Sequence, residues 1–128
     1  MALQHILLFT IFATLAVSAQ SESTVARHND LVIGRRVEGD YLLNRSFIKK
    51  DASWIGKVVT FTKTFTGDGV STITQIKALD QHENGHGASA KVIAGGVDYL
   101  YVTLRLESER YRHIDFVVEI YGKKASTE

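Results

Sequence analysis

The stretch His82-Glu83-Asn84-Gly85-His86 has the residue types and spacing of a zinc-hydrolase motif, two histidines flanking a glutamate. That chemistry needs a helix, on which two imidazoles one turn apart hold the metal and the glutamate acts as general base. Asn84-Gly85 is instead a strong turn signal, and Gly87 follows at once. Helix propensity over these positions is poor, and no third ligand stands in a recognisable place. A solvated loop is the reading that follows, with a surface metal site at His82 and His86 as the weak alternative. Nucleophilic chemistry is no better served. The chain has no cysteine and no G-x-S-x-G elbow. Gly67-Asp68-Gly69 and Gly95-Gly96 lack the Lys-Ser/Thr or helix that a phosphate cradle requires. Asp115 and Glu119 share a strand face with His113, Val117 and Tyr121, the pattern of an ordinary wet face. No catalytic residue, cofactor or resident metal is assigned, and a non-enzymatic protein is expected.

Tyr99, Tyr101, Tyr111 and Tyr121 form the candidate binding surface, because all four lie on or beside the last two strands, opposite their aliphatic face. The same rings would also suit the second half of a barrel core, with hydroxyls at the rim.

The elements that must position these groups are strands. Leu100, Val102, Leu104 and Leu106 alternate with polar residues, as do Ile114, Phe116, Val118 and Ile120. Period-two alternation of this kind means strands with one dry face. The short polar link 108–112 predicts an antiparallel hairpin between them. Earlier segments follow suit. Leu31-Val32-Ile33 is closed by Gly34, and 37–40 is a turn into a second extended segment. Trp54 and Ile55 are expected core anchors. Val59, Phe61 and Phe65 share a face that Lys63 interrupts. Thr66-Gly67-Asp68-Gly69 should reverse the chain into a strand with Ile73 and Leu79 on one face and Ile76 and Ala78 on the other. Ala88, Ala90, Val92 and Ala94 form a small-residue face before a Gly95-Gly96 hairpin turn. About six to seven such strands predict an all-β fold, an antiparallel sandwich or barrel.

Residues 6–17 are uncharged and apolar, the length of a signal-peptide core and too short for a membrane span. Small residues after them place cleavage after Ala19. The expected organisation is a signal peptide over 1–19, a flexible polar tail over 20–29, one all-β domain over 30–122 and a charged tail over 123–128. Asn44-Arg45-Ser46 is an N-glycosylation sequon, useful only if Asn44 faces water. With 15 basic and 14 acidic side chains, charge gives no reason to expect a nucleic-acid partner. No membrane partner is expected after signal removal. With neither cysteine nor proline, stability must come from packing and backbone pairing, and turns from Gly, Asn, Asp and Ser.

Asp30 to Arg36 with Gly39-Asp40, Ile73 to Asp80, Asn84-Gly85, Gly95-Gly96 and Ile114 to Gly122 together resemble the insect family named for multiprotein bridging factor 2. Many of its members are called probable salivary secreted peptides. The resemblance implies a secreted, extracellular protein; with the signal sequence and sequon, the expectation is an exported β-domain that binds an unidentified protein or small molecule. It also implies an alternative, a transcriptional co-activator bridging a nuclear receptor and the basal machinery. It supplies no catalytic residues.

Overall fold

The structure, a computed structural model, describes residues 28–126. The expected signal peptide and its cleavage after Ala19 lie outside them. Among the described residues seven strands run in order: β1 Leu31–Gly34, β2 Tyr41–Lys50, β3 Thr60–Thr66, β4 Ser71–Asp80, β5 Ser89–Gly95, β6 Tyr101–Glu107 and β7 Ile114–Lys124. They form two antiparallel sheets, β1-β4-β7-β2 and β3-β6-β5. One hydrophobic cluster draws on both, with Ile73, Ile76, Ala78, Phe116, Val118 and Ile120 from the first and Phe65, Val102, Leu104 and Leu106 from the second. The fold is a sandwich rather than a barrel.

The alternation in the last two strands is realised, but the hairpin is not. β6 is central in the small sheet, while β7 is central in the large one. Their dry faces look at each other across the core, so residues 108–113 arch between sheets. Buried Ser108 fixes this arch, donating its N–H to the Val59 carbonyl (2.8 Å) and accepting the Val59 N–H on its hydroxyl (2.8 Å). The turn after Thr66 likewise carries the chain from one sheet to the other. Among the described residues, only β5 and β6 are both sequential and hydrogen-bonded to each other. Period two is identical in a hairpin and an arch, since both keep apolar side chains on the core side.

Three β-bulges decide which side chains face inward. In β4 the register slips between Ile73 and Gln75, which turns Ile73 to the same side as Ile76 and Ala78 and leaves Leu79 on the outer face. In β5 a slip between Val92 and Ala94 sends Ala94 outward, opposite Thr103, so the small-residue face ends at Val92. In β2 the slip between Leu42 and Asn44 places Asn44, Ser46 and Ile48 opposite the inward residues Ile120, Val118 and Phe116. Each bulge adds one residue to a strand, and with it reverses the alternation beyond.

Other expectations shift at the ends of elements. Leu100 precedes β6 and is exposed. Lys123 and Lys124 pair with Thr72 and Ser71 inside β7 rather than forming a tail. His28 and Asn29, placed in the flexible tail by sequence, are bound to the domain through Asp80 and Gly87. Trp54 and Ile55 are not core anchors. They occupy the corner of a turn closed by the Gly56 N–H to the Ser53 carbonyl (3.1 Å), and Trp54 is 91% exposed. Phe65, Phe116 and the aliphatic residues of β4, β6 and β7 already fill the core.

Candidate binding cleft

One end of the sandwich gathers the β1–β2, β3–β4 and β5–β6 connections. There an open cleft of about 480 Å³ is lined by Gly34, Arg35, Val37, Thr74, Val97 and Asp98. Its walls follow from local constraints. Gly34, with φ +77°, lets the end of β1 lie directly on the Thr74 carbonyl, and a Cβ there would also sit 2.8 Å from Val97 Cγ2. The Arg35 N–H then donates to the Thr74 carbonyl (3.1 Å). From the other sheet, the Asp98 N–H donates to the Ile73 carbonyl, and the Tyr99 carbonyl accepts the Ile73 N–H, both at 2.8 Å. Those two bonds fasten the β5–β6 connection to β4. Asp98 adopts φ +74°, a left-handed conformation that aspartate tolerates better than most residues.

Two carboxylates brace this end. Asp40 accepts from Arg36 Nε (2.9 Å), the Val37 N–H (3.0 Å) and the Thr74 hydroxyl (2.9 Å), and pairs with Arg36 Nη2 at 2.7 Å. The Arg36 hydrogen bond, then those from Val37 and Thr74, hold its carboxyl well below the usual carboxylate range. Arg36 stacks on the Tyr121 ring at 3.9 Å. Asp68 accepts from the Tyr41 hydroxyl (2.7 Å), the Ser71 N–H (2.7 Å) and hydroxyl (2.7 Å), and the Val70 N–H (3.0 Å). These bonds, the Tyr41 one foremost, also keep it strongly acidic. By contrast, Arg35 and Asp98 have no ion-pair partner among the described residues. The cleft therefore presents apolar Val37 and Val97 together with Arg35 and Asp98, a cation and an anion without ion-pair partners among the described residues. Such a set can hold a small amphipathic molecule and orient it by its polar groups.

The four tyrosines do not form one surface. Tyr99 and Tyr101 meet edge to face near the cleft, with centroids 6.1 Å apart. Tyr121 lies on the outer face of the larger sheet, under Arg36. Tyr111 stands at the opposite end, its ring against Gly56. His82 and His86 also diverge, in a segment with no helix. His82 Nδ1 is 3.3 Å from buried Asp80 Oδ1 and its ring contacts His113, whereas exposed His86 faces Glu109 at 3.1 Å. Among the described residues, no group of three or more His, Cys, Asp or Glu is placed to hold a metal ion. Asn44 is half-buried at the flank of edge strand β2, its Oδ1 accepting the Ser46 hydroxyl at 2.6 Å. Sequence reasoning passed over Arg35, Val97 and Asp98, which only the sheet-to-sheet connection brings together. The positive-φ glycine and the Asp40 turn were their nearest signals.

These features define a cysteine-free, seven-stranded antiparallel β-sandwich with an open cleft at one end. The family model described as transcription activator MBF2 matches residues 33–122, and the chain belongs to that family. It is also 43% identical over 103 residues to a protein of Bombus ignitus named "probable salivary secreted peptide", covering 80% of this chain and 75% of the relative. No solved structure matches.

Proposed function

We propose that this chain is an exported, non-catalytic binding domain whose ligand site is the cleft between Arg35 and Asp98. Kinship with the bumblebee protein carries the reading of export, since that relative bears a secreted-peptide name. The apolar run at 6–17 agrees with it. Binding rather than catalysis is supported by the chemistry of the cleft. Thr74 is its hydroxyl, and the carboxylate it contacts, Asp40, is held so acidic that it is a weak base. A hydroxyl paired with a weak base is not activated as a nucleophile. The family description as a transcription activator motivates the competing role, an intracellular co-activator.

The test is to express the full-length sequence with a C-terminal tag in insect cells and weigh the intact protein from medium and lysate. Protein in the medium beginning at Gln20 is the expected result. Mass lost on deglycosylation would show use of Asn44. An uncleaved chain confined to the cytosol and nucleus would overturn export and favour the co-activator. Native mass spectrometry of the secreted protein should then show a small co-purifying molecule that Asp98→Ala and Arg35→Ala weaken. A rate of turnover for that molecule would contradict the non-catalytic reading.

A further inference from the structure

Asp68-Gly69 and Asn84-Gly85 each set a side-chain carbonyl beside the backbone nitrogen of a glycine. The side-chain carbon Cγ and the next residue's nitrogen are the ends of a potential five-membered imide ring. Glycine favours its closure, because no Cβ shields the nitrogen and the backbone rotates freely. An intramolecular attack of this kind is limited chiefly by how readily the reacting geometry is reached.

The structure sets the two sites apart. Asp68 is locked, its carboxylate accepting from the Tyr41 hydroxyl, the Ser71 N–H and hydroxyl, and the Val70 N–H. Those bonds keep it ionised, and an ionised carboxylate is a poor electrophile. Asn84 is exposed in the connection between β4 and β5. Among the described residues its side chain makes a single hydrogen bond, Oδ1 accepting the His86 N–H at 2.9 Å. That donor polarises the amide carbonyl and stabilises the oxyanion formed when a nucleophile adds to Cγ. Gly85 follows at φ +83°, a conformation that side-chain-bearing residues rarely adopt. The other two asparagines are held. Asn29 Nδ2 donates to the Gly87 carbonyl at 2.8 Å, and Asp30 follows it. Asn44 is paired with Ile120 in β2, and Arg45 follows it.

We infer that Asn84 is a self-modifying site, at which the exposed amide is converted through an imide to a mixture of aspartate and isoaspartate. The Gly85 nitrogen bonds to Asn84 Cγ and the Cγ–Nδ2 bond breaks. The proton lost by Gly85 leaves with Nδ2 as ammonia. Water then opens the ring. Addition at Cγ gives aspartate with the backbone restored. Addition at the backbone carbonyl carbon of residue 84 leaves the chain running through Cγ, with one more backbone atom. Either product adds an anion to a chain of 15 basic and 14 acidic side chains, which makes the two equal. The longer link falls between Asp80 and Gly87, the two residues that bind Asn29 to the domain.

The test is to hold protein from the full-length sequence at mildly alkaline pH and physiological temperature for several days. Peptide mapping by mass spectrometry then follows each asparagine, with fresh protein digested in parallel to subtract loss during digestion. Asn84 should lose its amide about tenfold or more faster than Asn29. Isoelectric focusing should show one new acidic band, and a protein isoaspartyl methyltransferase should label the aged protein at residue 84. Asn84→Gln should remove band and label alike, because its ring would need six members, while leaving the melting temperature unchanged. Amide loss at Asn84 no faster than at Asn29 would overturn the inference. So would aspartate as the sole product, since opening of an imide yields both isomers. Isomerisation of Asp68 keeping pace with Asn84 would overturn the structural argument, because the glycine alone would then set the rate.

Discussion

Replacing Gly122 by alanine tests how tightly the larger sheet is assembled. Gly122 lies in β7 opposite Tyr41 on one side and Ile73 on the other, where the neighbouring strands β2 and β4 both carry bulges. A Cβ at this position would collide with Leu43 Cδ1 and stand 2.7 Å from the Thr72 carbonyl oxygen and 3.2 Å from Leu43 Cγ. Its φ is not positive, so the penalty is one of space rather than backbone strain. Overpacking of this kind costs about 1–3 kcal/mol. Stiffening the unfolded chain returns about 0.4–1 kcal/mol. The net loss is about 1–2 kcal/mol, and at roughly 4–8 °C per kcal/mol for a domain of this size the melting temperature should fall by about 10 °C. Thermal unfolding followed by circular dichroism measures it. Leu43→Ala removes one collision and leaves the Thr72 carbonyl, so Gly122→Ala should cost about 1 kcal/mol less in that background. A Gly122→Ala protein as stable as the parent, or strictly additive effects of the two substitutions, would refute the packing argument.

Further outcomes follow from other constraints. Asp80→Ala removes the buried acceptor of the Asn29 and His82 N–H groups, now 2.9 and 3.0 Å from its carboxylate, and at about 0.5–1.5 kcal/mol per lost hydrogen bond should lower the urea midpoint. Asp40 and Asp68 are held below the ordinary carboxylate range, so their contribution is complete above about pH 4–5 and is lost as pH falls toward their folded values. Asp40→Asn should flatten the acid limb of the melting-temperature profile, and an unchanged limb would contradict that assignment. Lys63 stands opposite inward Leu104 on edge strand β3, its Nζ 5.2 Å from the Phe65 ring centroid. Lys63→Ile should melt no lower yet self-associate with concentration in light scattering, because an inward charge on an edge strand blocks sheet-to-sheet pairing.

The strands and most of the core were legible because burial writes itself into the sequence at period two. Phe116, Val118, Ile120, Val102, Leu104 and Leu106 are buried as the alternation predicts. The bulges were not legible. Leu43, Thr74 and Ile93 look like any other strand residues, and only pairing with a neighbour shows that one residue is surplus. Nor does alternation say whether a short link turns within a sheet or crosses between two, which is why residues 108–113 read as a hairpin. Trp54 was misplaced by composition alone, since large apolar residues are buried more often than not. The cleft escaped notice for a different reason. Arg35 and Asp98, which line it, are separated by more than sixty positions, and Asp98 is placed there because Ile73 binds the β5–β6 connection.

The two ends of the sandwich differ in how they are built. At the cleft, two walls are fixed by backbone contacts, Gly34 on Thr74 and Asp98 on Ile73, and the adjoining turn is clamped by Arg36 on Asp40. A site so braced binds with little ordering cost, which favours a specific small ligand. At the far end, Trp54 and Ile55 stand exposed at the corners of the Ser53–Gly56 turn. β7 runs from one end to the other, Ile114 to Lys124, roughly 30 Å at about 3.3 Å per residue. Groups that far apart without shared partners act additively. Trp54→Ala at the far end should therefore leave the cleft ligand bound, which native mass spectrometry of the variant checks.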